Sequence, residues 1–235
     1  MRSSLRFVLI LLCCTFAGYD SANAQYLNPK VKDKQVTIRS AVLLPPKVDI
    51  TKESAKGAEL MVAESADISV KVMEAVKDAL QQKKINIAAN SFESAAMDET
   101  RKYTLADIQT RYDALLPKLV NKSKDIKKAR FTLGDEVMLL NVHKEADVLV
   151  FIRGQGRVFT KGKTAFSIIN IFNLDLPFTT ITVGLVDSRT GEVLAFTKPV
   201  STSGVLKNPK SLSKMIQKSL KKLPATTDEV STVTR

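Results

Sequence analysis

The sequence lacks tryptophan, contains a single histidine, His143, and has two cysteines, both within its first 14 residues. A lone histidine without cysteine partners cannot assemble the usual zinc ligand sets. It also leaves only one candidate base for a serine hydrolase, and no Gly-x-Ser-x-Gly motif accompanies it. We therefore interpret His143 as structural. We predict no catalytic residues, no metal site and no cofactor, so the chain is not expected to be an enzyme.

Long hydrophobic runs are also missing, since no segment reaches the roughly 20 apolar residues of a membrane-spanning helix. The apolar run Phe7–Cys14 follows Arg2 and Arg6 and precedes Ala22-Asn23-Ala24, a small-x-small motif. This order is typical of a secretory signal with its cleavage site. Residues 1–24 are predicted to be a signal peptide, with Gln25 as the first residue of the exported chain.

Cleavage would remove both cysteines, so no disulfide is expected and stability must come from a hydrophobic core. Attachment of lipid to Cys13 or Cys14 is the alternative fate. Lipoprotein processing requires a small residue before the modified cysteine, and Leu12 and Cys13 occupy those positions. We predict a periplasmic or secreted protein that can lie peripherally on the outer membrane.

Acidic residues are few relative to basic ones. The formal charge of +12 becomes +11 when Arg2, Arg6 and Asp20 leave with the signal. A basic excess favours contact with anionic polymers, lipid headgroups or nucleic acid, although no motif for specific nucleic-acid recognition is present. Lysines of the segment 118–130 and of the last helix are the candidates for an anion-binding surface, with a plain solvated surface as the alternative. The candidate residues are Lys122, Lys127, Lys128, Lys214 and Lys218.

Apolar periodicity predicts alternating strands and helices. Strands are predicted at 36–44, 85–88, 148–152, 179–186 and 192–197, and helices at 68–80, 104–119, 132–142 and 208–223. Val148–Ile152 is apolar at every position, which indicates a central strand covered on both faces. Gly191 supplies the positive φ of the hairpin between the last two strands.

Two helices carry local signals of their own. Pro117 is expected to bend or end the helix at 104–119. Thr132 can cap the following helix, whose apolar residues cover most of its circumference and should be largely buried.

The order of these elements predicts an α/β (α+β) fold, a single mixed sheet of about five strands flanked by helices, with an amphipathic C-terminal helix. Residues 25–35 are predicted to be an N-terminal extension, 36–223 one domain and 224–235 a disordered tail.

Two segments together resemble a bacterial envelope pattern. They are Glu145-Ala146-Asp147-Val148-Leu149-Val150-Phe151 and, later, Thr182-Val183-Gly184-Leu185-Val186-Asp187-Ser188-Arg189-Thr190-Gly191-Glu192-Val193. With the strand that ends at Pro45-Pro46, they are similar to the curli-channel (CsgG), penicillin-binding-protein activator (LpoB) and TolB N-terminal-like families. The resemblance implies a small mixed sheet flanked by helices, and an accessory, scaffolding or export-channel role in the cell envelope.

Glycine motifs for phosphate binding are incomplete. Gly154-Gln155-Gly156 lacks the third glycine and the following helix of a dinucleotide fingerprint, and Gly162-Lys163-Thr164 lacks the Walker spacing. Neither predicts a nucleotide site.

The segment Thr164–Leu176 is rich in apolar residues where a polar connection is expected. It is either folded onto the core or exposed to a partner, in which case Phe166, Ile169 and Phe172 are the candidate partner-binding residues. We predict an exported, non-enzymatic envelope accessory or assembly protein that binds another envelope protein or itself. The alternative is a basic module that binds an anionic envelope polymer, lipid headgroups or nucleic acid.

Overall fold

The computed structural model describes residues 24–54, 56–89, 92, 97–159, 178–202 and 208–226. The predicted class is confirmed, because these residues form one mixed sheet with helices on both faces. The sheet has nine strands among the described residues instead of about five. The strands are β1 (Ala24–Leu27), β2 (Ser40–Leu43), β3 (Lys47–Ser54), β4 (Gly57–Leu60), β5 (Asn86–Ile87), β6 (Val148–Phe159), β7 (Phe178–Asp187), β8 (Val193–Lys198) and β9 (Val200–Thr202).

Much of the difference in strand number comes from long strands whose neighbours are interrupted by proline. The first part of β6 pairs in parallel with β2 and its second part with β3, and Pro45-Pro46 lies between these two partners. In the same way, β7 pairs with β8 and β9, which flank Pro199. The strand order is β1-β8-β7-β6-β2-β5, with β4 paired to β3.

Helices cover both faces of this sheet. They are α1 (Pro29–Lys32), α2 (Val62–Gln81), α3 (Glu99–Asn121) and α4 (Pro209–Ser219). α2 and α4 pack with Val148, Val150 and Ile152 in one apolar cluster. α3 packs with Leu149 and Phe151 in the other. Alternate residues of β6 therefore enter opposite cores, as the predicted central strand requires.

The N-terminal segment is part of the domain, so the predicted extension at 25–35 is wrong. β1 pairs antiparallel with β8, at the edge of the described sheet. The buried Asn28 caps α1 and donates its amide to Glu192 Oε1 at 2.9 Å, while Lys30 Nζ lies 2.5 Å from Glu192 Oε2. This polar segment is held by Glu192, a hairpin residue more than 160 positions away. The composition of residues 25–35 alone does not predict that contact.

The predicted α-helix at 132–142 is also wrong. Thr132 forms an isolated bridge with Glu192, and two short 3-10 helices follow, Asp135–Leu140 and Val142–Lys144. They are separated by Asn141 at φ 57°. Since the tighter winding brings only Val137, Leu140 and Val142 to the core, Met138 and Leu139 are exposed.

The predicted long helices are present with different bounds. α3 begins at Glu99 after the cap Asp98, whose carboxylate accepts from Arg101 N at 2.7 Å, and it continues through Pro117 to Asn121. α4 begins at Pro209 after the cap Asn208, as the sequence indicates. At the start of the predicted tail, Thr226 donates from N to Lys83 O and from Oγ1 to Ile38 O, so this residue is held by the domain. Residues 227–235 lie outside the described ranges.

None of the helices in the described ranges combines the length and hydropathy needed to cross a membrane.

Candidate functional site

The lysines predicted to bind anions do not form one surface. Lys122 is the C-cap residue after α3. Lys127 and Lys128 belong to the 3-10 helix Ser123–Lys128, whose Ile126 packs in the same core as α3. Lys214 and Lys218 lie on α4, which packs against the other face of the sheet. All five are exposed, and Lys128 Nζ lies 3.6 Å from Asp125 Oδ1.

Of these five lysines, Lys127 lies near other basic residues. Lys127 lines a cavity of about 340 Å³ with Lys32, Lys222 and a single carboxylate, that of Asp33. Gln25 also lines it, and its Oε1 accepts a 2.6 Å hydrogen bond from Lys222 N. We call Lys32, Lys127 and Lys222 the edge lysines, because they gather beside the edge strand β1. Sequence reasoning missed two of them because they come from distant segments.

The predicted partner-binding residues Phe166, Ile169 and Phe172 lie outside the described residues, as does the motif Gly162-Lys163-Thr164.

The other glycine motif, Gly154-Gln155-Gly156, has a structural role. Gly154 and Gly156 lie within β6, where a Cβ would stand 2.9 Å from Val48 Cγ1 and 2.6 Å from Ile50 Cδ1. These glycines allow β3 side chains to pack closely.

The residues that carry the family resemblance also hold the sheet together. Asp147 Oδ2 accepts from the backbone N–H of Arg39 and Ser40 at 2.8 and 3.1 Å, which fixes the entry into β2. Ser188 Oγ donates to Ala146 O at 2.6 Å, and Gly191 takes φ +68° in the hairpin turn as predicted. These residues therefore have a structural role in the sheet and the hairpin, and the motif does not indicate a catalytic or binding site.

A larger cavity of about 550 Å³ lies where the sheet extends past the apolar part of α3. We call it the Arg153 cavity. Its lining comprises Lys47, Asp49, Asp113, Leu116, Pro117, Val120, Asn121, Arg153, Gly154, Gln155, Thr180, Thr182 and Lys198.

The floor of the Arg153 cavity is a row of polar residues across four strands. Lys47 pairs with Arg153, and Arg153 pairs with Thr182. The pair Val183 and Thr197 places Lys198 opposite Thr182. Paired residues on neighbouring strands project from the same face. A second row, Asp49, Gln155 and Thr180, lies beside the first, two residues later on β3 and β6 and two residues earlier on the antiparallel β7.

Arg153 is the most constrained cation of this row, with a side chain only 6% exposed. Its Nε donates to Asp113 Oδ1 at 2.5 Å and its Nη1 to Ile152 O at 3.0 Å. Nη2 is shielded from solvent and has no hydrogen-bond partner among the described residues. Lys47 Nζ lies 3.4 Å from Asp113 Oδ2, so two cations share one carboxylate.

An aromatic pair lies beside Arg153, in the core next to the cavity. Tyr112 stacks on Phe151 with ring centroids 4.0 Å apart, and the Arg153 guanidinium carbon lies 5.6 Å from the Tyr112 ring centroid. Burial raises the pKa of Tyr112 well above its ordinary value, while the charge of Arg153 opposes that shift. Gly184 has no side chain to obstruct the Tyr112 hydroxyl, which lies 2.2 Å from where a Cβ would stand.

The described residues contain no group of three or more histidine, cysteine, aspartate or glutamate side chains able to hold a metal ion. His143 lies in the 3-10 helix Val142–Lys144, half-buried. The arrangement in the Arg153 cavity offers cations, hydroxyls and amides, which are groups that bind a polar ligand.

The outer edge of β4 is a third feature. β4 pairs only with β3 among the described strands, and all four of its residues are exposed. Its last residue, Leu60, is apolar and 50% exposed, and Val62 and Val70 of α2 are 70% and 51% exposed.

Neither a protein-family model nor a curated protein sequence matches this chain. Among solved structures, the PelC dodecamer from Paraburkholderia phytofirmans in space group P6 is similar at a TM-score of 0.38 and 13% identity, over 87% of this chain and 97% of that chain. A single-substitution PelC dodecamer from the same organism in space group C2 gives the same TM-score and identity, over 86% and 97%. Both likenesses are too distant to assign a function.

Proposed function

We propose that this chain is an exported, non-enzymatic accessory or assembly protein of the bacterial cell envelope that acts by binding another protein. The predicted secretory signal and the resemblance to envelope families support the setting. The observation that carries the binding activity is the outer edge of β4, with which no other described strand pairs, together with the exposed apolar residues near it.

The geometry of β4 makes its edge a template for a further strand. Met61 N donates to Ile50 O at 2.8 Å, so Glu59, two residues earlier, also directs its backbone toward β3. Ala58 and Leu60 therefore direct their N–H and C=O groups outward. Extended peptides bind sheet edges through such groups, with alternate side chains providing specificity.

Exposed apolar side chains lie on β4 and on the α2 residues that follow it, where a protected edge usually carries charges. Val62 and Val70 lie within about 80° of each other around α2, on the basis of 100° per residue. Leu60 pairs with Thr51 and therefore projects from the face of the sheet opposite Ile50 and α2, so Leu60 lies on one face of this edge and Val62 on the other. Glu59 is the single charged residue of β4.

The experiment compares Leu60→Lys with Leu139→Lys in the exported protein. Both leucines are exposed, but Leu139 lies in the 3-10 helix Asp135–Leu140, which packs with α3. Sedimentation of each variant is measured alone and in envelope extract. We expect Leu60→Lys to weaken complex formation at least tenfold, because an edge lysine opposes strand addition. Leu139→Lys should behave as the parent. Identical sedimentation of all three proteins would contradict the proposal.

A second candidate function is binding of an anionic envelope polymer or lipid headgroups, which the edge lysines favour. Such binding should weaken steeply with salt. Lys127→Gln should reduce binding to anionic vesicles, whereas Lys214→Gln on the opposite face should not. Equal reduction by both variants would indicate general charge attraction and no defined site.

A further inference from the structure

The donor capacity of the Arg153 cavity exceeds what the protein itself uses. Arg153 is nine-tenths buried, yet Nη2 lacks an acceptor among the described residues. A buried guanidinium N–H without an acceptor is destabilising, and native proteins rarely leave one unpaired. Lys198, at the far end of the same row, forms no ion pair with a described residue. An acidic ligand beside Lys198 would give that lysine a partner and, once a small shift of the guanidinium uncovers Nη2, would give Arg153 one as well.

The charge balance of the lining fits a single negative charge. Lys47, Arg153 and Lys198 contribute three positive charges, and Asp49 and Asp113 contribute two negative ones. Asp113 contacts both Lys47 and Arg153, and Asp49 lies on the same strand two residues from Lys47, so these four charges balance and the uncompensated charge is that of Lys198. A monoanion placed there leaves the lining neutral, whereas a dianion leaves an excess negative charge.

The rest of the lining fits a hydroxylated body of sugar size. Asn121, Gln155 and Thr180 offer amide and hydroxyl groups on the two sides of the cavity. The α3 residues Leu116, Pro117 and Val120 form an apolar wall opposite the polar rows. A volume of about 550 Å³ falls within the usual range for small-molecule sites.

We propose that the Arg153 cavity binds a sugar-sized ligand carrying one carboxylate, such as a uronic acid residue. The carboxylate lies against Arg153 and Lys198, and the hydroxyl groups meet Asn121, Gln155 and Thr180. The C–H face of the ring packs on Leu116 and Pro117. This site is separate from the β4 edge, so it stands whether or not the chain binds a partner there.

Calorimetric titration of the exported protein with four probes tests the assignment. The probes are glucuronate, galacturonate, glucose 6-phosphate as the phosphate alternative, and glucose as the neutral control. We expect saturable binding of at least one uronate, weaker binding of the phosphate and none of glucose. Absence of saturable uronate binding up to about 10 mM, or preference for the phosphate, would overturn the carboxylate site.

Variants locate the site without disturbing the core. Lys198→Gln should weaken uronate binding about tenfold, the usual loss when one charge-assisted contact is removed. Gln155→Ala tests a hydroxyl contact and should weaken binding of the uronate while leaving the melting temperature unchanged. Lys214→Gln, an exposed lysine on α4 across the sheet, is the matched charge control. Binding unaffected by Lys198→Gln, or reduced equally by Lys214→Gln, would refute the location.

Discussion

Replacing Tyr112 with phenylalanine should stabilise this protein, although Tyr112 is fully buried in its core. The ring stacks on Phe151 with an angle of 11° between the planes. The hydroxyl has no hydrogen-bond partner among the described residues. The phenylalanine ring keeps the stack and removes the unpaired polar group.

The expected gain follows from the cost of burying a hydroxyl. A buried hydroxyl without a hydrogen bond costs about 1–3 kcal/mol in proteins. The substitution removes this cost, but the surrounding residues adjust only partly to the smaller side chain, which offsets part of the gain. We therefore expect Tyr112→Phe to raise the free energy of unfolding by about 1 kcal/mol. In a domain of this size, that gain raises the melting temperature by about 2–4 °C.

The pH dependence of the free energy of unfolding tests the burial of Tyr112 independently. Burial raises the pKa of Tyr112 above its ordinary value of 10. The folded protein therefore keeps a proton that the unfolded chain loses, and stability falls as the pH rises above about 10. The parent should lose up to about 1.4 kcal/mol per pH unit relative to Tyr112→Phe in that range. Below pH 9 the difference between the two proteins should be constant.

Urea unfolding of the parent and Tyr112→Phe at pH 7, 10 and 11 measures both effects. Other titrating groups are common to the two proteins, so they cancel in the difference between the free energies of unfolding. The reasoning is refuted if Tyr112→Phe is less stable than the parent at pH 7. It is also refuted if the difference fails to widen between pH 10 and pH 11.

Three further predictions concern the sheet and the N-terminus. Val150 is fully buried in β6, so Val150→Asp should cost several kcal/mol and abolish the cooperative thermal transition; a melt within a few degrees of the parent would contradict this. Gly191→Ala should destabilise by more than about 1 kcal/mol, because φ is +68° and a Cβ would stand 2.1 Å from Gly134 O. Gly57→Ala, where φ is +123° but no atom lies within 4 Å, should cost less in the same urea assay. Intact mass of the exported protein should place its first residue at Gln25 without lipid; a diacylglycerol increment on Cys13 or Cys14 would disprove this.

The sequence predicted the centre of the sheet because its signals there are local. Val148–Ile152 is apolar at every position, and the turn before Glu192 contains the glycine that its backbone requires. The amphipathic pattern of α4 likewise determines which face is buried. Each of these elements is decided by residues within one turn or one strand of each other.

The missed strands depend on long-range pairing. Pro45-Pro46 correctly marks the end of β2, but the length of β6 gives the chain a second partner site immediately afterwards. β3 alternates apolar and polar residues only over its first half, and β4 carries no buried residue at all. Their pairing is visible only once β6 is known to extend to Phe159.

The Arg153 cavity could not be predicted from the sequence for the same reason. Its lining comes from β3, α3, β6, β7 and β8, which span about 150 positions of the sequence. The one local signal is Arg153, a cation directly after five apolar residues of a central strand. A charge at that position requires a buried partner, and the sequence does not show that Asp113 supplies it.

The position of the cavity follows from how α3 covers β6. Along one face of β6, Phe151 is followed by Arg153 and then Gln155, so the surface changes from apolar to polar within two residue pairs. On α3, Tyr112 covers Phe151, and the next residue, Asp113, reaches Arg153. The change from apolar to polar side chains therefore occurs at facing positions of α3 and β6. The helix continues as Leu116, Pro117 and Val120 over a floor that is polar, and the space left between the helix and that floor is the Arg153 cavity.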